Sequence, residues 1–374
     1  MRKAGLIAGL AVMTLALALA GVASAQTFNW KGQSTWTAGD FHHNDAKGPV
    51  EKIEAMSGGR LKINMQAAGA IVPAFEVLDA THKGILDVGQ AWPGYWYGKH
   101  PAATLFGSVP GGPFGMNAED FLGWMYLGGG LELYNELLQK ELKMNVVAFP
   151  TYGETPEPLG WFKGPVKDLK AFKGLKFRAG GMSAEVFKAM GMSVVTLPGG
   201  EIVPALERGV IDAAEYSDPS SDMSVGFADV RKFYHMPSVH QPTGIMELLI
   251  NKSKWDSLPP DLKAIVENAC QAMALKFTLM MIDQNSKDLG TLVEKKGVTI
   301  IESPREILQE ILAAWDKVAE KYVKENPFFA KVYASQKQWA QRIVPYRSVA
   351  HPPYDIAADH YWGKANPYKV QKPK

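Results

Sequence analysis

Two stretches of this chain repeat one short design. Residues 80–90 read Ala-Thr-His-Lys-Gly-Ile-Leu-Asp-Val-Gly-Gln, and residues 205–215 read Ala-Leu-Glu-Arg-Gly-Val-Ile-Asp-Ala-Ala-Glu. Each reads as a helix end, a glycine cap, and a short buried strand carrying an Asp. Upstream, Ile71-Val72-Pro73-Ala74 returns as Ile202-Val203-Pro204-Ala205, and Gly59-Arg60-Leu61-Lys62-Ile63 as Lys173-Gly174-Leu175-Lys176-Phe177. The spacing between the pieces differs, so this is no tandem array. Three echoes in one order predict two α/β lobes of similar architecture. A first strand is expected over Phe28–Trp36, a helix through Gly48–Met56, a strand at Leu61–Met65, a helix at Phe75–His82 and a strand at Ile85–Gly89. Alternation of helix and strand signals predicts parallel sheets. Ligands then sit beyond the carboxyl ends of strands. Gln90 and Glu215 occupy matching strand ends, which open into one cleft if the lobes face each other.

The first 25 residues are not part of this design. Arg2 and Lys3 precede an uncharged apolar run from Leu6 to Ala20, and Ala23-Ser24-Ala25 follows. That is a secretory leader, with cleavage expected before Gln26. No Cys follows the run, so it is not a lipoprotein leader, and no later stretch reads as long and apolar enough to span a bilayer. The full chain carries 40 basic and 38 acidic residues. Losing Arg2 and Lys3 leaves the mature chain with no net charge, which argues against nucleic acid as a partner. The single cysteine, Cys270, has no internal partner and reads as helix core. Asp261–Glu294 and Pro304–Val344, the latter interrupted near Asn326-Pro327, read as long helices. The expected organisation is a leader at 1–25, lobe I at 26–150 with later crossover segments, and lobe II at 151–255. A helical region at 256–345 completes the lobes and serves as a candidate dimerisation element, and a tail at 346–374 wraps a surface.

Catalytic motifs are missing. There is no dinucleotide fingerprint after a strand, no phosphate-loop Lys, no His-Glu-x-x-His and no nucleophile elbow. His42-His43 with Asp45 reads as a solvated loop pair, since no other His lies at ligand spacing. Glu154 and Glu157 invite a glycosidase reading, but their spacing in a Pro-rich loop fixes no distance between carboxylates. Arg178 stands at the end of the strand Leu175-Lys176-Phe177 before Ala179-Gly180-Gly181. A guanidinium there can set a fork against a carboxylate, or form a surface salt bridge; both readings stay open. Glu215-Tyr216-Ser217-Asp218-Pro219 places acidic and aromatic groups at a second strand end. A buried Glu215 needs a cation or a donor, whether its role is structural or functional.

These residues together resemble the extracytoplasmic solute-binding subunits of tripartite ATP-independent periplasmic (TRAP) transporters, the DctP-type family. The resemblance covers essentially the whole mature chain. It rests on Leu78-Asp79-Ala80 leading to Gly84–Val88, on Pro113–Met116, on Gly160-Trp161-Phe162, on Gly209–Glu215 and, most specifically, on Leu169–Arg178. It is nearest the branch that binds 2-oxo and 2-hydroxy acids with a cation. It implies a two-lobed binding-protein fold with an interlobe cleft and long C-terminal helices. Arg178 would pair with the substrate carboxylate. Glu157, Glu215, the backbone carbonyl of Tyr216 and Gln241 would hold a Na⁺ or Ca²⁺ ion bridging the substrate, with no organic cofactor. Tyr97, chosen from the Tyr95–Tyr97 segment, would contact the ligand, with Glu157, Tyr216, Glu154 and Asp218 also at the substrate. The implied partners are a small carboxylate, the two TRAP membrane subunits and a second copy of the chain. The sequence departs from the branch in three ways. An acid (Glu157) and an amide (Gln241) appear exchanged, the usual aromatic after Pro219 is missing, and Glu154 adds an acid. The alternatives are a secreted carboxylate-dependent hydrolase using Glu154 or Glu157, and a sensory binding protein that docks on a membrane receptor.

Overall fold

A computed structural model describes residues 26–368 and 370–373. The leader and its cleavage site lie outside them. The chain opens with β1 (Phe28–Ser34), α1 (Phe41–Met56), β2 (Leu61–Gln66), α2 (Val77–His82) and β3 (Val88–Ala91). Short helices follow, among them Ala118–Leu127, and then β4 (Val146–Gly153) and β5 (Gly160–Phe162). Next come β6 (Lys176–Arg178), α3 (Ser183–Ala189), β7 (Ser193–Val195), α4 (Gly199–Glu207), β8 (Ala213–Ala214), α5 (Pro219–Val225) and β9 (Phe233–Met236). The last elements are β10 (Ile245–Asn251), α6 (Pro260–Glu294), β11 (Thr299–Glu302), α7 (Arg305–Glu325), α8 (Pro327–Ala350) and α9 (Tyr354–Trp362).

The echo is structural. The strands form two sheets, ordered β2-β1-β3-β10-β4 and β11-β9-β5-β8-β6-β7. The parallel trio β2-β1-β3 of the first is matched by β7-β6-β8 of the second. Gly84 and Gly209 turn the chain at φ +72° and +70°, a left-handed conformation that side chains disfavour. The turns close alike, with Ile85 N–H donating to Ala80 O at 2.9 Å and Val210 N–H to Ala205 O at 3.0 Å. The repeated Asp then docks each strand on its neighbour. Asp87 N–H donates to Lys31 O and Asp212 N–H to Lys176 O, at 3.0 and 2.7 Å. Their carboxylates accept the Lys31 and Lys176 amides in return, at 2.9 and 3.3 Å. In this shared register Gln33 sits opposite Gly89 and Arg178 opposite Ala214. Arg178 therefore holds the place in the second sheet that Gln33 holds in the first.

The sheets are mixed, not parallel throughout. β10 runs antiparallel to β3 and β4, and β5 runs antiparallel to β8 and β9. The cause is the path of the chain. It leaves the first sheet along β4, enters the second as β5, and returns from β9 to the first as β10. Each arriving strand runs back along its new neighbours. Residues 245–251 consequently belong to the first sheet, although they fall within 151–255.

Three helical readings also change. α1 starts at Phe41, because the Asp40 carboxylate accepts His42 N–H at 2.9 Å and caps the helix about two turns before Gly48. α6 does hold a window long and apolar enough to cross a membrane, with a mean hydropathy of 1.2. Scattered charges hid it from a search for uncharged runs. One face of α6 packs on core elements: Leu262, Val266, Ala269 and Cys270 are buried with Trp30, Phe149 and Leu248. At the C-terminus, α8 continues to Ala350 and the helix α9, with no buried residue, follows in place of the expected tail wrapping a surface. Beyond α9, Gln371 joins the edge of β11, donating to Ile300 O at 2.9 Å and accepting from Glu302 N–H at 2.8 Å.

Candidate functional site

The two crossovers lie side by side between the sheets. Glu154 N–H donates to Gly244 O at 3.1 Å, and Glu157 N–H to Gln241 O at 3.0 Å. A tight cavity of about 10 Å³, roughly the room of one water, lies where they meet. The first lobe lines it with Trp36, His42, Trp92 and Tyr95, and the second with Arg178, Gly180, Glu215, Tyr216 and Ser217. The crossovers add Glu154, Glu157 and Gln241, and β10 adds Met246. Glycines let the walls close. A Cβ on Gly181 would stand 2.8 Å from the Trp92 ring, and one on Gly199 2.3 Å from Tyr216 Oη.

Arg178 is 1% exposed and sits over the Tyr216 ring, 5.5 Å from its centroid. Its Nε donates to Leu197 O at 3.1 Å, and Nη1 donates to both the backbone O and Oε1 of Glu215, at 3.0 and 2.9 Å. Nη2 makes no hydrogen bond among the described residues. Gly180 N–H adds a donor to Glu215 Oε1 at 2.6 Å. The other oxygen, Glu215 Oε2, faces His240 Nε2 at 3.8 Å, and Glu157 Oε2 lies 3.3 Å from the same nitrogen. Glu157, Glu215 and His240 place ligand atoms within 4.8 Å of one another. Burial works to raise the Glu215 pKa, but the Arg178 guanidinium and then His240 outweigh it and hold the acid at about 2. Burial raises Glu157, and the charge of Glu215 raises it further. Two buried carboxylates this close do not both carry an uncompensated charge, so they share a proton or a cation.

The donor set favours a hard cation. Glu157 Oε2, Glu215 Oε2 and Gln241 Oε1 are all buried oxygens without a hydrogen-bond partner. Such atoms normally find a partner. Three unpartnered acceptors lining one cavity, with only His240 Nε2 beside two of them, are a cradle for Na⁺ or Ca²⁺, which take oxygen ligands.

A second polar network ties the lobes together beside the cavity. Tyr216 Oη donates to Asp40 Oδ2, and Ser221 Oγ donates to Asp40 Oδ1 at 2.9 Å. His42 Nε2 pairs with Ser217 Oγ at 2.8 Å, and His42 Nδ1 with Tyr152 Oη at 2.7 Å.

The structure brings Arg178, Glu154, Glu157, Glu215, Tyr216 and Gln241 to one cavity. Tyr97 is turned away: its hydroxyl donates to Glu185 at 2.5 Å. The short 3₁₀ turn at Pro93–Trp96 advances about 120° per residue, so residues two apart face different ways, and Tyr95 takes the wall. Asp218 is buried behind the wall, where its carboxylate caps α5 by accepting the amides of Ser220 and Ser221 at 3.1 and 3.0 Å. His42 and His43 are buried in the first turn of α1, not solvated. Trp36, Trp92, His42 and His240 were not among the expected site residues, and Tyr95 lay in the Tyr95–Tyr97 segment from which Tyr97 was chosen. The Asp40 cap gave a signal for His42, and the place of His240 next to the expected ligand Gln241 gave one for His240.

Residues 32–326 match DctP, the bacterial extracellular solute-binding protein family 7. The chain belongs to this family. The family 7 chain is 31% identical, over 87% of its own length and 88% of the relative's, to a monocarboxylate 2-oxoacid-binding periplasmic protein of Nostoc sp.. A TRAP solute-binding protein of Pseudoalteromonas atlantica, solved with sodium and pyruvate, superposes with a TM-score of 0.81 at 28% identity, covering 90% of this chain and 99% of that one. Another, from Bordetella bronchiseptica, has a TM-score of 0.82 at 26% identity, covering 90% and 97%. It is a mixed-occupancy dimer with calcium and picolinate in one site. The fold is that of the TRAP solute-binding proteins, two-lobed and α/β.

Proposed function

We propose that this family 7 protein captures a small 2-oxo or 2-hydroxy acid together with a hard cation and delivers it to the membrane subunits of a TRAP transporter. The observation that carries the reading is the row of unpartnered oxygens on Glu157, Glu215 and Gln241 beside the Arg178 fork. Those side chains, with the Tyr216 carbonyl, would hold the cation, whose chemistry is to chelate the acid and neutralise the buried carboxylates. Arg178 would meet the acid's carboxylate through Nη2, the edge that Glu215 and Leu197 leave free. The polar residues of the cavity are buried, so closure strengthens each contact by excluding water. Ligand contact would then favour the closed form, which is the form expected to dock on the membrane subunits.

The reading is of a binder without turnover, exported to the periplasm after cleavage before Gln26. Relatives named for pyruvate or 2-oxo acids support the substrate class, and sodium in the pyruvate-bound structure and calcium in the picolinate-bound one support the cation. The hydrolase and receptor alternatives find no support among these relatives. Calorimetry with pyruvate tests the proposal. We expect tight binding in CaCl₂ or NaCl and at least about tenfold weaker binding after chelation in sodium-free buffer, with pyruvate recovered unchanged by mass spectrometry. Affinity indifferent to every cation would remove the role given to Glu157, Glu215 and Gln241.

A further inference from the structure

We propose that Glu154 sets the specificity of the cavity, selecting acids with a hydrogen-bonding group on C3 over acids that end there in a methyl group. The inference rests on the binding reading above and deepens it. Glu154 lines the cavity and is 7% exposed, yet its Oε2 is buried without a hydrogen-bond partner among the described residues. No donor of the cavity serves it. Arg178 spends Nε and Nη1 on Leu197 and Glu215 and keeps Nη2 for the acid's carboxylate, both His42 ring nitrogens are taken by Ser217 and Tyr152, and Trp92 Nε1 is itself without a hydrogen-bond partner. Glu154 also stands outside the tight Glu157, Glu215 and His240 cluster, so it is not counted among the cation ligands. Its position is built. The backbone is pinned to Gly244, where a Cβ would lie 2.7 Å from Glu154 Oε2 and 1.4 Å from Gly107 O. Only glycine at 244 admits the carboxyl.

A buried polar group left alone is costly, and closing the cleft removes the water that would satisfy it. The bound acid must therefore supply the partner. Burial, then the charges of Asp218 and Glu215, raise the Glu154 pKa well above its ordinary value. The neutral acid offers one O–H donor and one carbonyl acceptor. A hydroxyl on the solute answers both; a methyl group answers neither. At about 10 Å³ the cavity has little free room, so a solute that fits is a short chain with its C3 group close to the wall.

The test is calorimetry in CaCl₂ with two matched pairs, pyruvate against 3-hydroxypyruvate and L-lactate against glycerate. The full mature chain should bind the hydroxylated member of each pair at least about tenfold tighter. Glu154→Leu should erase or reverse that preference, and Glu154→Gln, which keeps a donor and an acceptor, should retain it. Equal affinity within each pair, or tighter binding of the methyl compound, overturns the inference while leaving the carboxylate site standing. Binding of none of the four acids with either Ca²⁺ or Na⁺ overturns the site reading and the inference together. If Glu154→Leu fails to fold, the wild-type comparison decides.

Discussion

One oxygen of the Glu215 carboxylate accepts from two donors, Arg178 Nη1 and Gly180 N–H, and the same Nη1 also donates to the Glu215 backbone O. The other carboxylate oxygen is left open toward Glu157 and His240. Arg178 thus has two jobs, holding Glu215 and meeting the ligand. Arg178→Lys exchanges a planar fork for a point charge that cannot serve Leu197, Glu215 and a carboxylate at once. Affinity for pyruvate should fall by about a hundredfold or more. Arg178→Ala should also lower stability by about 3–5 kcal/mol, because it strands a buried carboxylate. Calorimetry and thermal melts separate the two effects, and unchanged affinity in both variants would end the role assigned to Arg178. Asp45 gives a pH test away from the cavity. Burial, helped by Asp218 and Asp40, raises it from 3.8 to about 9. The folded state keeps a proton that the unfolded chain loses, so stability falls as pH rises between those values. Asp45→Asn removes that slope. It should melt several degrees higher than wild type at pH 8 and no higher near pH 4; parallel melting curves would refute the shift. Arg178 and Glu215 were legible from sequence because each closes a strand beside glycine or an aromatic. Trp92 and His42 were not, because a wall supplied by the opposite lobe depends on how the lobes face. Tyr97 was misread because helical phase over two residues leaves little trace in sequence.

At the level of elements, the lobes meet where the N-terminus of α1 touches the β8–α5 turn. Asp40 caps α1 and also accepts from Tyr216 and Ser221 across the cleft. One carboxylate thereby fastens the end of a first-lobe helix to the second lobe. Ser221 does not line the cavity, so Ser221→Ala tests the fastening without touching the ligand. We expect about three- to tenfold weaker binding, from the loss of one charge-assisted hydrogen bond in the closed form. Small-angle scattering should show the unliganded variant more open than wild type. Full affinity with an unchanged scattering profile would mean that the contact does not contribute to closure. The helix-to-strand turns of both lobes could be read directly, because glycine at a left-handed position and Asp at a strand start are local requirements. The antiparallel insertion of β5 and β10 could not. A strand's own pattern fixes its buried faces but not its partner, and β10 finds one more than 150 residues from its place in the chain, at β3.

On the scale of the whole molecule, the unpartnered surfaces lie on the late helices. Leu275, Leu279, Met280 and Ile282 are exposed on α6, with Leu127 beside them at the end of helix Ala118–Leu127. α9 shows no buried residue and exposes Tyr354, Ile356, Tyr361 and Trp362. Large apolar side chains left in water in two places on one chain point to a further surface that covers them. A second copy supplies one, and the relative from Bordetella bronchiseptica is a dimer. Burying each such side chain contributes about 1.5–3 kcal/mol before the cost of association. We therefore expect a homodimer by light scattering, stable on dilution to low micromolar concentration. Leu279→Lys with Ile282→Lys puts two charges on the α6 face and should yield monomer; so should truncation after Ala350, which removes α9. The cavity is built without α9, so truncated monomer should still bind pyruvate with near wild-type affinity. A dimer that survives both changes would place the interface elsewhere, and monomer at every concentration for the full chain would remove it.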